Sequence, residues 1–439
     1  MSEPQNNVIV IVYTTIYRKG GEQFPVVART LAEEKKANGF TGEIICQAFE
    51  SKREVLHIFD ELKQSGKKIE EFHFVGHSGM YGPMFGTTKF PEQFSPFEWE
   101  HTEIPFSENA SAFFHCCRSA RWFAPFFART FSVKAHGFFW YTTFSKSKTH
   151  YKYAGTDTNA PLYTIGCKGR KSHGLSASAM KFAGLMPAEE IKAFEPKPPS
   201  GDTSYNHVAE LYDAAFQDIT VRQDEWKWLN AHLPADKNIS VLDIGCGNGA
   251  LLNALSGRIG KGFGADESSG MIEQAKKRNA DKPNLQFTTI DGPILPFEDA
   301  KFDVVISMMS FRYLDWDPLL TEIKRVTKRG GKFLIVDMVT VPVGAKEYPQ
   351  FLKDKFRTIF ERKKNAEFNK NLAKLVSHPD WKKMLEYNPI RSEHEMKWYL
   401  ESRFPKQKME ILNIGWNARI VAFDSGAIEE GIEVKMSYP

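Results

Sequence analysis

Val241-Leu-Asp-Ile-Gly-Cys-Gly-Asn-Gly-Ala250 is the stretch around which this 439-residue chain is organised. A short apolar run carrying one carboxylate leads into three glycines at every second position, Gly245, Gly247 and Gly249. Such a pattern predicts a buried parallel strand turning sharply into a helix, with bare backbone where a ligand can approach. Working outward, segments 262–266, 285–290, 302–307 and 332–337 read as strands, and 251–259, 271–279 and 318–327 as helices. That repeated βα order predicts a doubly wound, Rossmann-like parallel sheet, preceded by helices at 205–216 and 221–232. A helical insertion is expected over 347–403, before a closing hairpin at 409–413 and 418–423.

The glycines also satisfy the dinucleotide fingerprint, as Gly245-x-Gly247-x-x-Ala250. Asp243, directly before the loop, would repel a pyrophosphate and welcome an ammonium group. Gly249 adds a third glycine, at a spacing that suits an amino-acid-like moiety. Asp266 ends the second strand, where a carboxylate suits two hydroxyl donors; the alternative is that it caps the next helix, as Ser268 equally can. Asp291-Gly292, after the third strand, offers a carboxylate and bare backbone to an adenine.

Through 241–249, 264–272, 291–296 and 302–307 the sequence closely resembles the class I S-adenosylmethionine-dependent methyltransferases. The resemblance implies S-adenosyl-L-methionine as cofactor, with Gly245 and Gly247 lining its methionine part and Asp243 near its amino group. It further implies that Asp266 takes both ribose hydroxyls, that Asp291 and Gly292 face the adenine, and that Ser307 and Met308, past the fourth strand, border the sulfonium. Methyl transfer from a sulfonium releases a neutral thioether, so in-line positioning and exclusion of water dominate over acid–base help. The stretch Met308-Met-Ser-Phe-Arg-Tyr-Leu-Asp-Trp316 carries no nucleic-acid methylase signature and most resembles the small-molecule branch, although Tyr313 stands where that branch often has a histidine. In the insertion, Phe351, Phe356, Phe360, Trp381, Trp398 and Tyr399 are expected to build a small helical core or to face an acceptor. The basic run from Lys353 to Lys364 reads as a solvated face, or as a match for an anionic acceptor.

Residues 194–203, Phe-Glu-Pro-Lys-Pro-Pro-Ser-Gly-Asp-Thr, cannot form a core and read as a linker between domains at 1–193 and 204–439. In the first domain, strands are expected at 8–13, 43–48, 72–75, 112–115, 133–138 and 162–166, with helices at 24–38 and 52–65. That alternation predicts an α/β layer fold with a mostly parallel sheet. His77 and Cys117 fall just past two consecutive strand ends, where ligands gather in such sheets. An imidazole beside a thiol lowers its pKa and protonates a leaving group, and the small residues Gly76, Ser78 and Gly79 leave donors for an oxyanion. Gly76-His-Ser-Gly-Met80 lacks the final glycine of a nucleophile elbow, which argues against an α/β-hydrolase.

Through 74–79 and 114–119 this segment resembles the caspase-like fold, in the broad sense that includes bacterial CHAT-type cysteine peptidases. The resemblance implies His77 as general base and Cys117 as nucleophile, with Cys116 still on the strand. The sequence departs from the family by inserting Ser78 into the usual His-Gly pair. The residues alone equally allow a buried small cysteine and a core histidine, in a non-catalytic module that binds a protein or peptide partner.

Charge is nearly balanced, 58 basic against 54 acidic residues for a formal net of +4, so no nucleic-acid partner is expected. Five cysteines (Cys46, Cys116, Cys117, Cys167 and Cys246) show no zinc spacing, and the expectation is no metal, reduced thiols and a cytoplasmic location. The apolar run 8–12 is too short for a signal sequence or a span, so no membrane role is expected. A small-molecule acceptor is the expected methyl recipient.

Overall fold

The computed structural model of the chain describes residues 6–15, 21–87, 89–153, 159–167, 175–198 and 205–429, apart from the side chains of 175–177 and 358–364. It forms two compact units that divide between residues 198 and 199. Residues 199–203 of the expected linker lie outside the described residues.

The first unit is built on a six-stranded sheet. In spatial order its strands are Glu43–Ala48, Asn7–Tyr13, Lys68–Val75, Phe106–His115, Lys134–Gly137 and Lys192–Phe194. Neighbours among the first five are parallel, and the sixth runs antiparallel to Lys134–Gly137. Side chains alternate across the sheet, as a strand requires. Val8, Val10 and Val12 enter a core with Phe72, Phe74, Phe114, Phe123 and Phe127, whereas Ile9 and Ile11 pack with Phe24 and Val27 of the helix Phe24–Ala37. The Phe-rich segment is therefore core: Trp99, Phe114, Phe123 and Phe127 are at most 1% exposed.

Two strands are longer than their apolar stretches predict. Lys68, Glu70 and Glu71 begin one, and Ser107, Glu108 and Asn109 lie in the other. Pairing of main-chain groups, to which side-chain polarity is secondary, carries these segments. The expected sixth strand is displaced: Tyr163–Cys167 pairs antiparallel with Thr142–Ser145 and Ala188–Glu189 in a separate small sheet. Lys192–Phe194 takes its place, a three-residue segment too short to show a period.

The second unit carries a seven-stranded sheet. Its spatial order is Leu285–Thr289, Lys261–Asp266, Ser240–Ile244, Phe302–Met308, Thr327–Thr340, Ala418–Asp424 and Glu410–Ile414. The first five are mutually parallel; Ala418–Asp424 inserts antiparallel between the fifth and sixth in sequence. In chain numbering this is the order 3-2-1-4-5-7-6. It reverses between the first and fourth strands, and connections leave in opposite directions there, opening a crevice past the carboxyl ends. Leu242 and Ile244 pack into the core on one face, and Val241 into the core on the other.

The insertion comprises the helices Tyr348–Lys364, Ala366–Ser377, Pro379–Tyr387 and Glu393–Arg403. The last belongs to the sheet: Met396, Tyr399 and Leu400 join the main core, and Tyr399 Oη donates to Asp317 Oδ1 at 2.8 Å. Trp381 packs instead with Tyr205, Tyr212 and Leu375. Phe356 is 63% exposed, Phe351 lies against Trp416, and the side chain of Phe360 falls outside the described residues. Among the described residues no helix is long and apolar enough to cross a membrane.

Candidate functional sites

The glycine loop is held by the strand beside it. Gly245 and Cys246 donate their N–H groups to Ala265 O at 2.7 and 3.1 Å. Gly245, Gly247 and Gly249 all have positive φ, at 71°, 52° and 71°. At Gly245 a methyl group would also lie 2.4 Å from Cβ and Oγ of Ser310, so both conformation and space demand glycine. The following helix, Ala250–Leu255, is shorter than its predicted 251–259.

Asp243 is 2% exposed, and its Oδ1 has no hydrogen-bond partner among the described residues. Burial, followed by the nearby Asp266, raises its pKa well above the ordinary carboxylate range. A buried carboxylate oxygen without a donor is costly unless a cation or donor meets it. Asp266 sits at the end of its strand and accepts from Gly247 N (Oδ2) and Ser268 N (Oδ1), each at 2.9 Å. Burial raises its pKa, although these two backbone donors pull it down. The helix cap is Ser268, whose hydroxyl accepts from Met271 N at 3.2 Å. Asp266 thus ties the glycine loop to its own turn and keeps lone pairs for further donors.

Asp291 is exposed two residues past the third strand, and Gly292 has φ 68°. Ser307 and Met308 lie within the fourth strand, which runs on to Met308. Ser307 is fully buried and shares a 2.8 Å hydrogen bond with Ser310 Oγ, which donates to Ile244 O. Its hydroxyl is committed to supporting the loop, and this corrects its expected place past the strand. Met309, with φ 63°, makes the sharp exit instead.

Tertiary structure adds residues that the motif does not contain. Asn248 donates through Nδ2 to Asp213 Oδ1 and Phe216 O, both at 3.0 Å. Asn206 Oδ1 accepts from Ser268 Oγ (2.7 Å) and Gly270 N (3.0 Å). These bonds fix segment 205–216 against the loop and bring Tyr212 to 3.5 Å from where a side chain at Gly247 would begin. The Tyr205 ring lies 6.0 Å from Tyr212, 6.4 Å from Tyr313 and 5.9 Å from Trp381, forming an aromatic wall. Burial raises the Tyr205 and Tyr212 phenols above their ordinary pKa, so both are neutral near pH 7. Behind the wall, Arg312 forms a buried ion pair with Asp337 and lies 4.3 Å from the Tyr313 ring centre. The aromatic spacing in 205–216 was visible in the sequence; its orientation toward the loop was not.

In the first unit, His77 and Cys117 each follow the end of one of two adjacent parallel strands by two residues. Ser78 Oγ bridges the two turns by donating to Cys117 O at 2.5 Å. Cys117 Sγ accepts from Thr142 N at 3.3 Å and lies 3.2 Å from Thr142 Oγ1, while the His77 ring packs edge-on to Phe24 at 5.2 Å. Arg118, immediately after the thiol, has φ 59°, a left-handed conformation that a non-glycine residue adopts at a cost. Thr14, at the neighbouring strand end, is 1% exposed, and its Oγ1 has no hydrogen-bond partner among the described residues. Cys116 lies just beyond its strand, fully buried, and burial pushes its thiol up to about 12. Among the described residues no three His, Cys, Asp or Glu side chains gather to hold a metal ion.

Residues 242–335 match the family model described as a methyltransferase domain. The chain is similar to a demethylmenaquinone methyltransferase of Staphylococcus aureus (strain MRSA252), 31% identical over 157 residues, covering 34% of this chain and 65% of that protein. It is also similar to the sterol 4-C-methyltransferase strm-1 of Caenorhabditis elegans, 28% identical over 145 residues, covering 31% of this chain and 42% of that protein. The chain therefore spans less than two thirds of the length of these curated relatives. A solved SAM-dependent methyltransferase from Aquifex aeolicus aligns at 17% identity and TM-score 0.34, covering 51% of this chain and 99% of that one. Residues 242–335 thus carry the sequence pattern of a methyltransferase domain.

Proposed function

We propose that the chain transfers a methyl group from S-adenosylmethionine to a small or modest-sized acceptor. The observation that carries this reading is the buried Asp243 Oδ1, without a partner among the described residues, beside a loop that only glycine can form. The residues present fit the cofactor: Asp243 meets its amino group, Gly245, Gly247 and Gly249 accommodate its methionine part, Asp266 takes ribose hydroxyls, and Asp291 with Gly292 faces the adenine. When bound, it supplies an electrophilic methyl group. Tyr205, Tyr212 and Tyr313 exclude water and orient the acceptor, and Met308, the last residue of the fourth strand, would border the sulfonium. Tyr205 and Tyr212, held neutral by burial, are poor general bases near pH 7, so the acceptor arrives already nucleophilic or loses its proton elsewhere. The relatives named for a quinone precursor and a sterol support a small, apolar acceptor. Five free cysteines fit a reducing, cytoplasmic compartment.

Calorimetric titration with S-adenosylhomocysteine tests this assignment. The full chain is expected to bind one equivalent, and Asp266→Ala to bind roughly thirtyfold more weakly, as expected for losing charge-assisted hydrogen bonds. Equal affinity in the variant refutes the site.

A second reading concerns residues 1–193, taken as a separate domain. The bridged turns bearing His77 and Cys117, past neighbouring strands, support a caspase-like cysteine peptidase with Cys117 as nucleophile and His77 as base. Its rival is a non-catalytic module that presents a protein or peptide to the methyltransferase. Iodoacetamide labelling read by mass spectrometry separates them. On the peptidase reading Cys117 is modified faster than Cys46 and Cys116, and His77→Ala slows it roughly tenfold. A rate unchanged by His77→Ala favours the binding module.

A further inference from the structure

The opposite end of the second unit's sheet carries a cleft that the donor site does not use. It has a volume of about 650 Å³, and its lining includes Asn238, Ser240, Lys261, Phe263, Lys301 and Lys328. These residues lie at or near the amino-terminal ends of the first, second, fourth and fifth strands, so the sheet itself fixes their spacing. The glycine loop and Asp266 lie past the carboxyl ends of the same strands.

The charges at this edge do not balance. Asp303 takes Lys328 on both oxygens, at 2.9 and 2.8 Å, and accepts from Ser240 N at 2.8 Å. Lys261 and Lys301 have no carboxylate within ion-pair distance among the described residues. The Lys301 ammonium is held over aromatic rings, 4.7 Å from the centre of Phe263, 5.5 Å from Phe297 and 6.0 Å from Phe302. The rings fix the position of this charge without neutralising it. Two uncompensated ammonium groups thus share a cleft with hydroxyl and amide donors and the partly apolar wall of Phe263. Its volume lies within the range of small-molecule pockets, and lysine serves as a point-charge partner for phosphate and carboxylate.

We propose that this edge binds a small organic dianion, a phosphate or dicarboxylate on a ring-bearing body, at a site separate from the methyl-donor site. The charged end lies between Lys261 and Lys301, and the body lies toward Phe263.

The test is calorimetric titration of the full chain with phenyl phosphate, phthalate and inorganic phosphate, each in the presence of saturating S-adenosylhomocysteine. At least one of the two aromatic dianions is expected to saturate one site and to bind more tightly than inorganic phosphate. Whichever binds identifies the headgroup. Lys261→Gln and Lys301→Gln are each expected to weaken it at least about tenfold, and raising the salt concentration to weaken it further. Lys261 is exposed, so its variant reports on the site even where Lys301→Gln perturbs the aromatic packing. Absence of saturable binding by either aromatic dianion, affinity unchanged in Lys261→Gln, or displacement by S-adenosylhomocysteine overturns the proposal.

Discussion

Gly245→Ala is expected to destabilise the second unit by about 2 to 5 kcal/mol, the sum of a left-handed backbone that alanine disfavours and a steric overlap in a packed turn. The added methyl would meet Ser310 at 2.4 Å, and Ser310 has little freedom to retreat because its hydroxyl bonds Ile244 O and Ser307. Urea unfolding measures the loss, and S-adenosylhomocysteine titration of the folded fraction should show weakened binding. Gly257→Ala is the matched control: nothing lies within 4 Å of its Cβ position, so stability should change by less than about 0.5 kcal/mol. Equal behaviour of the two variants removes the steric account of the loop.

Asp337→Ala is expected to cost about 3 to 5 kcal/mol, because it leaves the Arg312 guanidinium buried without its counter-charge. Asp337 is fully buried and accepts from the N–H groups of Arg312 and Met338, both at 2.6 Å, as well as from the guanidinium. Burial alone would depress the Arg312 pKa; the Asp337 charge reverses this and raises it, so the arginine stays protonated and its orphaning is expensive. The double variant Arg312→Met/Asp337→Leu should recover much of the loss, since an apolar pair of similar volume avoids desolvating charge. Denaturant midpoints of the two variants decide this. A double variant as unstable as Asp337→Ala shows that the cost lies in the two main-chain donors of Arg312 and Met338 or in packing, rather than in uncompensated charge.

The βα alternation of the second unit was readable because its strands are apolar runs bounded by glycine and acidic residues, a local signal. The position of Ala418–Asp424 between the fifth and sixth strands was not readable, because strand order depends on pairing across some 80 residues from its partner Thr327–Thr340. For the same reason 162–166 read as a sixth strand of the main sheet, whereas the observed strand Tyr163–Cys167 pairs with Thr142–Ser145 and Ala188–Glu189. Helix Glu393–Arg403 looked like part of the insertion because its periodicity does not name the surface it covers. Contacts with the main core show that it belongs to the sheet.

By itself the sequence determined the kind of loop at Gly245 to Gly249 and the carboxylates beside it, Asp243, Asp266 and Asp291. It also placed His77 and Cys117 past strand ends. These follow from backbone conformation and residue chemistry over a few neighbouring positions. Tertiary structure decided which of those groups still have bonding capacity: Asp243 Oδ1 has no donor among the described residues, Asp266 is half used by Gly247 and Ser268, and Ser307 is committed to Ser310. It also brought Tyr205, Tyr212 and Tyr313 together and gathered the lysines at the opposite edge of the sheet. Burial and partnering are properties of the packed chain, set by contacts between segments far apart in sequence.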